Sequence, residues 1–223
     1  MGERTIGILA CISGFLWDFF LGSIFMWGSI SPYMTSYLRE YDESITMATT
    51  FFVLHVQVFV AGCLMYPGTV LALKIHPRIT MSISLVIACV GLIASSVVTN
   101  YYLFLFFYWI FFGLAYSLSY ATPLIVAWSY FPNNKGRVSG IVTAGFGLSS
   151  AVFNLITLAL VNPENQLPDI TIDEGTETSY YYSSEIADRS PAMLRWCALI
   201  LGIIGAVAIA ITPNYKTISK ETD

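Results

Sequence analysis

The 223-residue chain is 56% hydrophobic and only 11% charged, with a formal net charge of −4 and a mean hydropathy of +0.69. That balance belongs to a membrane protein rather than a soluble domain. It offers no basic patch of the kind a phosphate backbone requires, which excludes nucleic acid as a partner.

Six stretches are long enough to cross a hydrocarbon core, which takes about 20 apolar residues. They run over about 6–30, 45–72, 79–98, 101–130, 138–161 and 192–212. Ten-residue alternating segments are absent, so the expected fold is an all-α membrane protein, one six-helix domain over 1–223, and not a barrel. The first stretch exceeds a signal-peptide core and lacks a small-residue cleavage site, so it is expected to remain as a helix.

Asp18 falls near the middle of the first stretch, where an ionised carboxylate costs at least a few kcal/mol unless it is protonated, paired or wet. It is therefore a candidate proton or substrate site; a hydrogen-bonded structural residue, or a contact to another subunit, is the competing reading. His55, with Gln57 nearby in the second stretch, is a candidate proton acceptor or else a packing histidine. Tyr116 and Tyr120, with Trp27 and Trp128, are candidates to line a central cavity; aromatic side chains in helices also serve as packing and interface anchors. Arg195, close to one end of the sixth stretch, is expected to snorkel to the interface.

Lys and Arg collect on alternate turns. One side holds Arg4, the loop from Lys74 to Arg78, Lys135 with Arg137, and Lys216 and Lys220. The other holds Arg39 among Glu40, Asp42 and Glu43, and an acidic loop over 162–191 with Glu164, Asp169, Asp173, Glu174, Glu177, Glu185 and Asp188 against Arg189 alone. The positive-inside rule then puts both termini on the cytoplasmic side, or the matrix side of a mitochondrial inner membrane. The acidic loop has no glycosylation sequon, which leans toward an organelle over the secretory route. Its tyrosines Tyr180 to Tyr182 are either a docking patch or part of a loop without a specific role.

Cys11, Cys63, Cys89 and Cys197 all fall inside apolar stretches without metal-ligand spacing, so inert buried thiols and no metal are expected. No phosphate loop or nucleophile motif occurs; neither a cofactor nor enzymatic activity is expected.

"GSIFMWGSISP" from Gly22 and "GLAYSLSYATP" from Gly113 align at a constant offset, matching Gly22 with Gly113, Phe25 with Tyr116, Gly28 with Ser119, Ser31 with Thr122 and Pro32 with Pro123. Units of three crossings make the second inverted relative to the first, an arrangement found in many secondary transporters. Small residues at Gly136, Gly140, Ala144, Gly147 and Ala151 form a face that lets another helix approach closely in lipid.

The passage "YATPLIVAWSYFPNNKGRVSGIVTAGFGLSSAVF", Tyr120 to Phe153, resembles the helix 4 to helix 5 passage of the major facilitator superfamily, most closely its oxalate/formate antiporter and monocarboxylate transporter-like branch. Trp128, Phe131, Pro132, Lys135, Gly136, Gly140, Gly145, Phe146 and Gly147 occupy the motif's places, and Ser149 stands where the family has a final Gly. "LGSIFMWGSISPY" in the first stretch is a looser match. "GTVLALKIHPR", Gly68 to Arg78, is similar to the superfamily signature between helices 2 and 3, but Leu73 and His76 replace its Asp and Gly. The resemblance implies twelve helices in two halves with the substrate between them, and cations for a carboxylate substrate supplied largely by the second half. The six stretches correspond to the first half alone. The expectation is a transporter component for small organic anions that pairs with a second six-helix half or a homodimer mate, the alternative being a non-transporting subunit of a larger membrane complex.

Overall fold

The computed structural model describes residues 2–173 and 178–216; Glu174, Glu177 and Lys220 lie outside the described residues. Six helical spans follow in order: α1 (Glu3–Arg39), α2 (Met47–Ala72), α3 (Pro77–Ser95), α4 (Tyr101–Tyr130), α5 (Pro132–Val161) and α6 (Ser184–Ile211). Several starts have a local cause. Thr46 and Thr49 form a reciprocal capping box at α2, the Asn100 side chain accepts from the Tyr102 and Leu103 amides at α4, and Pro132 sits in the first turn of α5. Such devices satisfy amides that a helix start leaves unpaired.

α1 runs well past the apolar stretch that announces it. Its last segment, Trp27–Arg39, contains Pro32 and follows a 3-10 turn at Ser23–Met26. The Thr35 hydroxyl donates to the Ser31 carbonyl at 2.6 Å and the Ser36 hydroxyl to the Pro32 carbonyl at 2.7 Å, so the polar side chains here bond back onto the helix instead of ending it. α4 is likewise irregular, with a π turn at Phe106–Ile110 and a break at Tyr120.

The helices pack in two rows. The front row runs α2, α4, α1, α5, and behind it α3 lies against α4, α6 against α1, and α3 against α6. Exchanging α1 with α4, α2 with α5 and α3 with α6 maps this set of neighbours onto itself, which is the signature of two inverted three-helix units. The repeated residues play matching parts: Gly22 of α1 packs against Phe146 and Ser149 of α5, while Gly113 of α4 packs against Gln57 and Val60 of α2. Phe25 and Tyr116, another repeat pair, line one cavity.

The core fills the space between the rows with Trp17, Phe20, Leu21, Phe104, Tyr108, Phe112, Met81 and Leu201. The crossing of α1 and α5 is the tightest contact: a β-carbon on Gly145 would meet the Phe15 carbonyl group and the Phe19 amide nitrogen at about 3 Å. Small residues therefore set the separation of these helices, as is usual where lipid supplies no hydrophobic drive.

The acidic loop is docked. It forms an antiparallel hairpin, β1 (Ile170–Asp173) and β2 (Thr178–Tyr181), with Ile170 opposite Tyr181. Tyr181 is buried with the Arg39 guanidinium 4.7 Å above its ring, and the Tyr182 ring packs on that of Tyr33 with centroids 4.5 Å apart and planes tilted by 33°. Of the tyrosines expected as a docking patch, only Tyr180 is substantially exposed. The other two are used to fix the loop to α1.

The thiols are free, but Cys63 is exposed on α2 rather than buried. Its helix lies at the end of the front row and has lipid or a partner on that side.

Candidate functional site: a polar interior behind an aromatic wall

Asp18 is fully buried in α1, and neither carboxylate oxygen has a hydrogen-bond partner among the described residues. One residue earlier, the Trp17 indole donates to the Ser119 hydroxyl at 3.2 Å, and Ser119 donates to the Ala115 carbonyl at 2.9 Å. This pair pins α1 to α4. Tyr116 and Tyr120 are one helical turn apart on α4, with rings stacked at 5.0 Å, and both lie within electrostatic reach of Asp18. The Phe146 ring completes the group, its centroid 5.9 Å from that of Tyr116, 6.3 Å from that of Tyr120 and 5.5 Å from that of Phe25.

In front of this wall is a cavity of about 180 Å³ between α1, α2, α4 and α5, lined by Phe25, Val58, Gly62, Met65, Tyr116 and Phe146 among others. At ~30 Å³ per water, it has room for about six waters or one small organic anion. Its wall carries no cation, and Asp18 is the one charged residue fully buried among the described residues.

Asp18 is not the sole polar group left unpaired. The Gln57 amide, the Thr122 and Ser149 hydroxyls and the Asn154 carbonyl oxygen are also buried without partners among the described residues. Each would cost a kcal/mol or more in a permanently dry interior.

His55 does not join this group. It is exposed on α2, with Nδ1 3.0 Å from the Phe51 carbonyl oxygen and its ring 4.5 Å from that of Phe51. It shares a stripe with the cavity residues Val58, Gly62 and Met65, one turn toward the acidic end. Trp27 packs on Phe104 and Tyr108 in the core. Trp128 donates to the Ser139 hydroxyl at 2.9 Å and so ties α4 to α5 across their connecting turn. Arg195 is exposed beside Ile93 and Leu199, as a snorkelling residue should be. Phe146 and Gln57 had no site role in the sequence reading; an amide in an apolar run was the available signal for Gln57.

The basic turns lie at the end of the bundle that carries the termini. Lys135, Gly136 and Arg137 open α5 and are exposed, as is Lys74 beyond the end of α2. In the signature loop, His76 caps α3 by accepting from the Arg78 amide at 3.3 Å. The Arg78 guanidinium donates from Nε to the Thr212 carbonyl at 2.6 Å. Thr212 in turn bonds Ser13 through its hydroxyl, so this basic residue locks α3, α6 and α1 together. Leu73, in the place of the signature Asp, is exposed.

Comparison with known proteins agrees with this geometry. The chain is 26% identical to the apicoplast pyruvate carrier 1 of Toxoplasma gondii, over 96% of its own length and 48% of that protein. It is 41% identical to monocarboxylate transporter 10 of Danio rerio over 35% of its own length and 15% of that protein. The chain thus spans about half the length, or less, of these relatives. The family model of the Major Facilitator Superfamily matches residues 16–220. Six membrane-crossing helices in two inverted units and a family match across nearly all of them have one meaning: this chain belongs to the Major Facilitator Superfamily and is an integral, multi-pass membrane protein.

Proposed function

We propose that the chain is the first six-helix unit of a carrier for small organic anions, mono- or dicarboxylates, and that it works against a second six-helix unit. The unpaired, buried carboxylate of Asp18, within electrostatic reach of Tyr116 and Tyr120, carries the reading. A small carboxylate occupies the cavity before the aromatic wall, and Asp18 exchanges a proton or bonds the solute when the path opens. The pyruvate specified in the name of the Toxoplasma relative and the monocarboxylate of the Danio name support this substrate class.

The second unit is carried on another chain, a homodimer mate among them, or on further residues of the same one. Its support is the front row, whose flanking helices are least covered: 22% of the α2 apolar window and 28% of that of α5 are buried, against 56% for α1. On α5 the uncovered face is Gly136, Gly140, Ala144, Gly147 and Ala151, with open space beside all three glycines. Such a face suits a helix backbone better than lipid chains. The basic end, with both termini, faces the cytoplasm or the mitochondrial matrix.

A second reading is favoured by Leu73. An exposed leucine in place of the signature aspartate removes a charge that in the resembling family helps latch the two halves, which suits a subunit retained in a larger membrane complex without transport. Uptake of oxalate, formate, lactate and pyruvate into vesicles holding the full protein separates the readings. Uptake of at least one supports the carrier, and none in any assembly state leaves the subunit.

A further inference from the structure

A groove of about 750 Å³ runs between the first half of α1 and the start of α5, on the side of the termini. Its walls are Ile8, Ile12, Phe15, Leu16 and Ile141, and at its mouth stand Arg4, Arg137 and Asn134. No carboxylate lines it, and neither arginine has an ion-pair partner among the described residues; the neighbouring Glu3 is taken by Lys216 at 2.8 Å. The groove opens about a quarter-turn round α5 from the small-residue face, on the stripe of Ile141, Leu148 and Leu155, all exposed. It thus looks toward lipid, away from the cavity at Phe146. From Arg4 to Leu16 α1 rises ~18 Å, close to the ~15 Å thickness of one apolar leaflet.

From this charge and depth we infer that the groove holds an anionic membrane phospholipid. One acyl chain lies along Ile8, Ile12 and Leu16, and the headgroup phosphate accepts hydrogen bonds from Arg4, Arg137 and Asn134. An apolar slot one leaflet deep, ending in two unpaired guanidiniums at the headgroup level, matches the two ends of such a lipid and not those of a soluble anion. The site is separate from the carrier cavity, and its test does not depend on transport.

The full protein, extracted in mild detergent after exchange into vesicles of phosphatidylcholine with or without phosphatidylglycerol, is weighed by native mass spectrometry. Wild type is expected to retain phosphatidylglycerol over phosphatidylcholine. Arg4→Gln/Arg137→Gln is expected to retain at least about tenfold less, and Lys135→Gln, which removes a neighbouring charge outside the groove, to retain it as wild type does. Ile12→Trp fills the apolar slot while leaving both arginines, and is expected to lose the lipid too. Equal retention of the two lipids, equal loss in Lys135→Gln, full retention in Ile12→Trp, or displacement by inorganic phosphate would each overturn the inference.

Discussion

Replacing Gly145 with alanine sets two effects of known size against each other. Alanine improves helix propensity by about 1 kcal/mol over glycine. The new β-carbon, however, would lie 3.0 Å from the Phe15 carbonyl carbon and 3.1 Å from the Phe19 nitrogen, with the Phe15 oxygen closer still. These are backbone atoms of α1, so no side chain can swing away and the two helices must part. Overpacking of this kind costs ~1–3 kcal/mol, and more when nothing can relax, so a net loss of about 2 kcal/mol follows. Gly140→Ala makes the same chemical change where nothing lies within 4 Å, and should raise stability by up to ~1 kcal/mol. Thermal unfolding in detergent, followed by tryptophan fluorescence, should move in opposite directions for the two variants. Shifts of the same sign and size would refute the claim that the α1 and α5 backbones set this crossing. If the second unit docks on the small-residue face, Gly140→Ala should also weaken assembly while leaving the isolated unit intact.

Thr212→Val removes a hydroxyl that bonds both Ser13 and the Ala208 carbonyl. The melting temperature should fall with the loss of ~1–2 kcal/mol, and an unchanged melt would show that this junction contributes nothing. Burial and then the nearby Asp188 raise the Glu40 carboxyl above its ordinary pKa. The native state thus binds more protons there than the unfolded chain, so this group's contribution is full below the unfolded pKa and is lost as pH rises through the folded one. Hydrogen exchange at the docked loop should accordingly speed up as pH is raised through that window, after correction for intrinsic rates, and Glu40→Gln should flatten the change. Asp42, lowered by hydrogen bonds from the Ser44 hydroxyl and then its backbone amide, acts with the opposite sign, and Ser44→Ala should remove the hydroxyl's share while the amide's remains.

The number and order of the helices were legible because lipid forces every crossing into a long apolar run. The extension of α1 to Arg39 was not: the apolar stretch ends near residue 30, and only the bonds from Thr35 and Ser36 to carbonyls one turn back show how the helix continues. The inverted repeat was visible at Gly22 and Gly113 because close backbone approach admits little else. Asp18, Tyr116 and Tyr120 could be named as residues of interest from chemistry alone, but the wall that Tyr116 and Tyr120 share with Phe146 exists only through the packing of α4 on α5. His55 had equal chemical promise, but it lies one turn beyond the cavity residues of its own stripe, exposed beside Phe51. Docking of the acidic loop through Tyr181 and Tyr182 depends on partners about 140 residues away, Arg39 and Tyr33, and no local pattern announces it.

The most direct test of the account is uptake of labelled pyruvate into vesicles reconstituted with the full protein, comparing wild type with Asp18→Asn. The substitution keeps the shape of the side chain and removes its proton exchange and charge. The account predicts pyruvate uptake by wild type and at least about a tenfold loss in Asp18→Asn, with an unchanged melting temperature or a higher one, since an unpaired buried acid is replaced. Equal uptake by the two proteins would contradict a role for Asp18 in the pathway.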